Sequence, residues 1–243
     1  MRLAVISDVH GNLAALEAVL EDIRRRGADR IVNCGDLCNS PLWPRETFDA
    51  LAPMDLPTVR GNHDRWMVEL NPAEMTPALK YTYAELGDIR RSALGALPVH
   101  YWLEADILMC HGTPTDDYEY LIEENDNGLL KLAHGDTVQR RLGDVQASLV
   151  LCGHSHNPGM VLAPSGALVL NPGSVGCPIF ADNPKAPLNN CRAPHARYAI
   201  ATRSAGGWSV EFVSLVYDWE RAAKRAVANG LPNWARSYRT GNV

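Results

Sequence analysis

Side chains that can bind metal ions or move protons are concentrated in five short clusters, each at the end of a strand-like apolar run. The clusters are Asp8-Val9-His10, Gly35-Asp36, Gly61-Asn62-His63-Asp64, Cys110-His111 and Gly153-His154-Ser155-His156. One loop cannot contain them all, so the fold must bring five segments to one place. Their carboxylate, amide and imidazole groups suit two divalent cations better than a structural zinc. A pair of such ions is the usual apparatus of phosphoester hydrolysis.

The order of these clusters resembles the calcineurin-like metallophosphoesterase superfamily, whose pattern runs D-x-H, G-D, G-N-H-[D/E], H and G-H-x-H. All five blocks occur here in that order between residues 8 and 156, and Asn171-Pro172-Gly173-Ser174-Val175 follows them. This short form is most similar to the small prokaryotic phosphodiesterases of the superfamily. A lone Gly-Asp occurs by chance in most proteins, but five blocks in register make the resemblance specific.

Followed position by position, the resemblance implies two metal sites that share one bridging carboxylate. The first ion would be held by Asp8, His10, Asp36 and His156. The second ion would be held by Asp36, Asn62, His111 and His154. Two divalent ions, two aspartates and a bridging hydroxide leave one net positive charge, which attracts a phosphate anion.

The expected cofactors are therefore two divalent metal ions. Plentiful oxygen ligands and the absence of thiolates favour Mn²⁺, with Fe or Zn²⁺ as alternatives. The ions would hold a shared hydroxide near neutral pH for in-line attack on phosphorus. His63 is next to a ligand without being one, which places it to protonate the leaving oxygen. Asp64 could hold that imidazole in the useful tautomer.

Two residues are candidates for substrate binding, each with an alternative. Asn12 either hydrogen-bonds near the site or caps the helix that begins at Leu13, and capping is favoured. Arg60 either contacts phosphate or pairs with a surface acid, and the sequence does not choose between them. Similarly, Tyr118 and Tyr120 either line a substrate pocket or pack within a helix, which is the favoured interpretation.

Apolar runs and helical periodicity predict a mixed α/β fold whose ligand clusters lie where strands give way to loops. Together with the resemblance, they predict a four-layer α/β/β/α sandwich of two mixed β-sheets flanked by helices, with a dinuclear metal site at the strand ends. The second half is richer in strands than the first. Expected strands are 2–7, 30–34, 58–60, 99–103, 106–110, 148–152, 159–163, 167–170, 197–202 and 209–217, and expected helices are 13–26, 44–51 and 218–229.

No linker, repeat or low-complexity tract interrupts residues 1–243, which are expected to form one domain. Residues 65–97 are rich in helix formers and predict either a substrate-selecting cap or an outer-layer helix. Residues 178–194, rich in Pro and Asn, are long for a connection in a compact domain, which predicts a mobile or functional loop.

Composition and the positions and lengths of the apolar runs limit which partners and which cellular compartment are expected. A net charge of −5 argues weakly against a nucleic-acid-coating protein. Six cysteines without a C-x-x-C predict buried small side chains rather than disulfides or zinc ligands. A strand directly after Met1 leaves no room for a cleavable signal, and no apolar run is long enough to span a bilayer. A cytoplasmic protein is expected, with no membrane partner and no sign of its oligomeric state.

The leading hypothesis is metal-dependent hydrolysis of a small or nucleotide-like phosphodiester. The enzymatic alternative is a phosphomonoesterase or a dinucleoside polyphosphate hydrolase. A non-catalytic alternative exists because the superfamily includes a retromer scaffold subunit that uses this fold to bind protein. The intact His63 and the complete ligand set argue against that third interpretation.

Overall fold

The computed structural model describes residues 1–179 and 191–242, which contain two mixed β-sheets and a separate hairpin. The strands of the described ranges are β1 (Arg2–Ile6), β2 (Arg30–Asn33), β3 (His100–Glu104), β4 (Ile107–Cys110), β5 (Glu123–Asp126), β6 (Leu129–Leu132), β7 (Leu149–Leu151), β8 (Pro158–Leu162), β9 (Leu168–Pro172), β10 (Ala196–Ser204) and β11 (Gly207–Leu215). The helices are α1 (Leu13–Arg26), α2 (Pro44–Leu51), α3 (Asn62–Glu69), α4 (Pro77–Gly95), α5 (Gly135–Leu142), α6 (Trp219–Ala228) and α7 (Asn233–Thr240).

Both large sheets combine parallel and antiparallel pairs. The first has the strand order β11-β10-β1-β2, in which only the β1–β2 pair is parallel. The second has the order β3-β4-β7-β9-β8, with β4, β7 and β9 parallel and both edge strands antiparallel. In each sheet the parallel strands end at the same edge, and the loops that follow them carry the candidate ligands.

Alternation along the central strands shows that the two sheets pack face to face. On β1, Leu3 and Val5 join the apolar cluster between the sheets, whereas Ala4 and Ile6 face the helical layer on the other side. Because successive strand side chains point to opposite faces, a strand buried on both faces is apolar throughout. β4 and β7 follow the same rule and bury their remaining side chains in a third cluster.

Helices cover the outer faces of both sheets and complete four layers. The cluster outside the first sheet includes buried residues of α1, α2, α4, α6 and α7. Outside the second sheet, Val138 and Leu142 of α5 bury against β4, β7 and β9. The predicted α/β/β/α sandwich is therefore confirmed.

Most of the predicted elements are present, with boundaries shifted by one or two residues. The exception is 58–60, where the structure has a single bridge from Thr58 to Asn33 instead of a strand. Within 65–97, α4 buries Leu79, Leu86 and Leu94 in the helical layer, which supports an outer-layer helix. Most of the predicted 178–194 loop lies outside the described residues. Every helix in the described ranges is too short or too polar to span a bilayer.

Candidate metal centre

The candidate ligands lie in tight turns just beyond the strand ends. Asp8 and His10 have φ angles of 54° and 46°, and Asp36 has 56°. In the turn after β7, His154 and His156 repeat the pattern with φ angles of 69° and 59°. On a regular strand, Asp8 and His10 would share a face because they are two residues apart. Instead, left-handed turns after the strand aim both side chains at one place.

These turns are strained in a way that marks a functional site. Left-handed backbone is unfavourable for residues other than glycine, at an energetic cost of roughly 1–3 kcal/mol each. Seven such residues occur in the described chain, and five of them are candidate ligands. Backbone hydrogen bonds fix these turns to one another, for example from Asp8 N to Gly35 O at 2.9 Å and from His10 N to Asp36 O at 3.0 Å.

The residues expected at the first metal site lie within reach of one ion. His156 Nε2 lies 3.1 Å from His10 Nε2 and 3.3 Å from Asp8 Oδ1. His10 Nε2 is 3.8 Å from Asp8 Oδ1 and 3.7 Å from Asp36 Oδ2. Ligands bonded to one ion at about 2.0–2.2 Å are separated from each other by roughly 3–4 Å. The spacing therefore fits a single divalent cation.

Asp36 also faces the residues expected at the second site. Its Oδ2 lies 3.3 Å from His111 Nε2, and the same nitrogen lies 3.1 Å from Asn62 Oδ1. The ring of His154 packs 5.3 Å from the ring of His111, centroid to centroid. One carboxylate thus stands between the two groups of ligands, as a bridging role requires.

Hydrogen bonds to the far side of the rings fix which nitrogens face the centre. His10 Nδ1 lies 2.9 Å from Asn39 O, and His111 Nδ1 lies 2.6 Å from Cys34 O. A carbonyl only accepts, so each Nδ1 carries a hydrogen and each Nε2 faces the centre, where its lone pair is available to an ion once that nitrogen carries no proton. His154 is bound the other way, with Nε2 2.8 Å from Tyr118 O. In metal sites, the ring nitrogen of a histidine that does not bind the ion regularly forms such a hydrogen bond.

The buried carboxylates of the centre favour a positive charge beside them. Burial opposes the charged form of His111, but the Asp36 carboxylate outweighs burial and raises the pKa of His111 to about 10. Burial likewise opposes ionisation of Asp36, yet His111 and His63 hold its pKa well below the usual range. Asp8 Oδ1 is buried and accepts no hydrogen bond from the described residues. Inward lone pairs and an orphaned carboxylate oxygen fit a cation, so the residues present fit a metal pair.

Glycines allow the segments to approach this closely. A Cβ atom added to Gly61 would lie 2.1 Å from Asp36 Oδ1 and 2.6 Å from Asp36 N. A Cβ atom added to Gly153 would lie 2.0 Å from Ser7 Oγ and 2.8 Å from Asp8 Oδ2. These distances are too short for a Cβ atom. The G-N-H-D and G-H-S-H blocks therefore need glycine where they contact the Asp36 and Asp8 turns.

His63 lies at the centre, but its hydrogen-bond partner differs from the expected one. The Asn39 amide donates to His63 Nδ1 at 2.7 Å, which leaves the hydrogen of the neutral ring on Nε2, 4.0 Å from Asp36 Oδ2. Asp64 accepts backbone N–H groups from Asp36, Leu37 and Gly61, and no imidazole of the described residues. The tautomer of His63 is thus set by Asn39, whereas Asp64 holds the turns together.

The two candidates for substrate binding have structural partners instead. Asn12 accepts a hydrogen bond from Ala15 N at 3.2 Å and so caps α1, the interpretation favoured by the sequence. Its amide also donates to Gly176 O at 2.9 Å. Arg60 donates to Gly95 O, at the end of α4, at 3.0 Å, and pairs neither with an acid nor with the metal ligands among the described residues. Both alternatives considered for Arg60 are therefore replaced by a contact with a helix terminus.

Aromatic side chains form one wall beside the candidate ligands. Trp66 packs edge-on against His63, with centroids 4.5 Å apart, and lies 5.9 Å from Tyr118. Tyr120 stacks on His154 at 4.9 Å. Tyr118 and Tyr120 precede β5 in irregular structure rather than in a helix. The helix-packing interpretation of these tyrosines is wrong, and the pocket-lining alternative agrees with the contacts.

Sequence reasoning missed three residues that the fold brings to the centre. Asn39 fixes His63, and Trp66 packs against it. Cys177 has a sulfur atom within 4.8 Å of ligand atoms of His10 and His156. All six cysteines are buried and free, as predicted, but a thiol is present at the first site. The position of Cys177 just after Asn171–Val175 was the available signal.

A four-layer sandwich with a carboxylate–histidine centre between loops of both sheets defines a metallophosphoesterase-like protein. The sequence profile of the calcineurin-like phosphoesterase superfamily domain matches residues 1–192. The chain therefore belongs to this superfamily of metal-dependent phosphoesterases.

Similar proteins extend the likeness over nearly the whole chain. The uncharacterized protein MJ0912 of Methanocaldococcus jannaschii is 28% identical over 258 residues, covering 96% of this chain and 94% of the relative. A metallophosphoesterase from Sphaerobacter thermophilus has a solved structure with a TM-score of 0.72, 25% identity and 98% coverage of both chains. The hypothetical protein PH1004 of Pyrococcus horikoshii has a TM-score of 0.77 at 20% identity, covering 99% of this chain and 98% of its own.

Proposed function

We propose that this protein is a dinuclear metal-dependent phosphodiesterase that acts on a small, nucleotide-like substrate. The observation that carries the proposal is the convergence of seven candidate ligands from five segments on one shared carboxylate, Asp36. Its Oδ2 lies 3.3 Å from His111 Nε2 and 3.7 Å from His10 Nε2, and one of these histidines is assigned to each expected ion. Membership of a phosphoesterase superfamily supports the reaction class.

The ligand assignment is the one that the superfamily resemblance implies; the same distances support it, and the ring of His154 packs against His111. One ion would be held by Asp8, His10, Asp36 and His156, and the other by Asp36, Asn62, His111 and His154. Bound there, the ions would supply charge neutralisation for the phosphoryl oxygens and lower the pKa of coordinated water. Oxygen ligands from Asp36 and Asn62 favour Mn²⁺ at the second site.

We propose His63 as the proton donor to the leaving oxygen. Asn39 holds its Nδ1, so that Nε2 faces the centre. Burial lowers the pKa of His63 to about 3 despite the nearby Asp36 carboxylate, so the ring of the free protein is neutral at physiological pH. An anionic phosphoester beside the ring favours the imidazolium, so the proton is acquired with the substrate.

The aromatic wall supports a substrate with a planar group. Trp66 and Tyr118 lie within 5.9 Å of each other beside His63, and Tyr118 is half exposed. Stacking of a nucleobase on such a surface contributes about 1–3 kcal/mol. A phosphodiester that carries a base could place its phosphate at the metal centre and its ring on this wall. The alternative, a phosphomonoesterase or dinucleoside polyphosphate hydrolase, uses the same centre and differs in what the wall accepts.

The first experiment compares turnover of model substrates by protein stripped of metal and reloaded with Mn²⁺, Zn²⁺, Fe²⁺ or Mg²⁺. Bis-para-nitrophenyl phosphate represents diesters, para-nitrophenyl phosphate represents monoesters, and a dinucleoside polyphosphate represents anhydrides. We expect the highest kcat/KM with the diester. Preference for either other substrate would select the alternative, and no turnover with any metal would favour a protein-binding role.

The second experiment tests His63 with diesters of graded leaving-group pKa. His63→Ala should retain both metals because His63 is not assigned as a ligand. Loss of kcat should be small for a nitrophenolate leaving group and on the order of 10²–10⁴-fold for an alkoxide, the usual effect of positioned proton transfer. Equal losses for every leaving group would mean that His63 only donates a hydrogen bond to the phosphate.

A further inference from the structure

Cys177 lies beside the first metal site in a segment that is tied to the Asp8 turn. Ser174 Oγ donates to Asp8 O at 2.7 Å and accepts from Cys177 N at 2.8 Å. Two neighbouring backbone N–H groups add to this connection: Val175 N donates to Ser7 O at 3.0 Å and Gly176 N to Asp8 O at 3.1 Å. The thiol is thus held in place by the same turn that presents Asp8.

The sulfur atom is close enough to share an ion with two histidines. Sγ of Cys177 and ring nitrogens of His10 and His156 all lie within 4.8 Å of one another, and all three residues are buried. This limit is close to roughly 4.6 Å, the largest separation of two ligands bonded to one ion at about 2.0–2.3 Å. The three side chains are therefore near the spacing of ligands that share one ion.

The surroundings of the thiol also tolerate loss of its proton. Cys177 Sγ lies 3.4 Å from Ile179 O, to which a thiol donates a weak hydrogen bond. That carbonyl also accepts a hydrogen bond from Ser237 Oγ at 2.9 Å. If the S–H bond breaks as sulfur binds a metal and the proton passes to solvent, Ile179 O therefore still has a donor.

We propose that Cys177 is a sulfur ligand of the first metal ion, completing a set with Asp8, His10, Asp36 and His156. The inference rests on the proposed metal centre and changes its metal preference. Thiolate ligands select zinc and other thiophilic ions over Mn²⁺. The first site, with sulfur and two imidazoles, is a thiophilic site, whereas the second has only nitrogen and oxygen ligands. The centre is therefore built to hold two different metals.

Cobalt reports the ligand directly, because a cobalt–thiolate bond gives a charge-transfer absorption in the near ultraviolet. Metal-free, reduced full-length protein is titrated with Co²⁺ and its absorption recorded. We expect this band in wild type, and its loss in Cys177→Ser with the visible bands of bound Co²⁺ retained. Cys110→Ser is the matched control: Cys110 is buried and adjacent to ligand His111, but its sulfur contacts Gly112 O at 3.3 Å. The control should keep the band.

A second measurement needs no variant and therefore does not depend on folding of Cys177→Ser. X-ray absorption of wild type loaded with one equivalent of Zn²⁺ should show one sulfur neighbour at about 2.3 Å. Cobalt or zinc bound with only nitrogen and oxygen neighbours would overturn the role of Cys177 and leave the metal centre intact. Failure of the protein to bind either ion would overturn the proposed centre itself, and with it the proposed function.

Discussion

Glu123 gives a quantitative test of the packing behind the ligand turns. Its side chain is 1% exposed and accepts a hydrogen bond from Ser155, which lies between His154 and His156. Ser155 Oγ in turn accepts from the Asn171 amide at 2.9 Å. We predict that Glu123→Gln makes the metal-free protein more stable at alkaline pH and changes its stability little in acid.

The size of the effect follows from the pKa of the buried carboxyl. Burial outweighs the hydrogen bond from Ser155 and raises the pKa of Glu123 from 4.5 to about 8. The folded protein thus retains a proton that the unfolded chain releases, so the free energy of unfolding falls as the pH rises between these two values. At about 1.36 kcal/mol per pH unit, the full loss is roughly 5 kcal/mol. Glutamine replaces the protonated acid and has no proton to lose.

The assay is urea denaturation of chelator-treated protein at several pH values from about 5 to about 9, a range that spans the two pKa values. The free energy of unfolding of wild type should fall across this range. That of Glu123→Gln should fall less, by a difference of up to roughly 5 kcal/mol. Glu124→Gln is the control, since Glu124 is exposed on the same strand and its substitution removes the same charge. The free energy of unfolding of Glu124→Gln should change with pH as that of wild type does.

Parallel curves for wild type and Glu123→Gln would refute the reasoning. They would mean that Glu123 is ionised in the folded protein throughout this range, and that the turn with Ser155 is solvated more than its burial indicates. Equal shifts in Glu123→Gln and Glu124→Gln would attribute the effect to net charge instead of burial.

Three further predictions concern the centre. Asp36→Asn should lose more metal than Asn62→Ala by elemental analysis, because it removes the one anionic group placed between both sites; equal retention would reject the bridging role. Gly61→Ala should bind less metal by elemental analysis and unfold at a lower temperature, because its Cβ would lie 2.1 Å from Asp36 Oδ1. The control is Gly206→Ala, which should match wild type in both measurements because a Cβ there meets no atom within 4 Å. Trp66→Ala should raise KM for nucleotide-like diesters on the order of 10-fold, as loss of about 1–3 kcal/mol of stacking implies, and leave KM for dialkyl phosphates unchanged; a uniform increase would point to a general packing defect.

The layers could be predicted because their signals are local. From Leu3 to Ile6, β1 is apolar on both faces, as a central strand between a helical layer and a second sheet must be. β5 was missed because Glu123–Asp126 is polar and carries no apolar pattern. Without β5, the short apolar run Leu129–Leu132 of β6 had no partner strand to mark it as a hairpin. Asn127-Gly128, at φ angles of 53° and 87°, is the turn pair that could have revealed this hairpin.

The site was predictable only as far as its motifs extend. Asp8, His10 and Asp36 were recognised from short blocks, whereas the left-handed turns that direct their side chains to one place were not predicted. Asn39 reaches the centre through a contact that no periodicity or spacing encodes. Cys177 could have been noticed only from its position just after Asn171–Val175. The partner of His63 was wrongly expected to be Asp64 because adjacency in sequence was taken for a hydrogen bond, whereas α3 directs the two side chains to different neighbours.

The left-handed turns also bear on how this chain could change by mutation. Five ligand candidates have unfavourable φ angles, each at a cost of roughly 1–3 kcal/mol. Glycine adopts the same backbone without that strain. A ligand-to-glycine substitution such as His154→Gly would therefore produce a more robust fold with a damaged centre. Fold stability and metal binding therefore place opposite demands on these five positions.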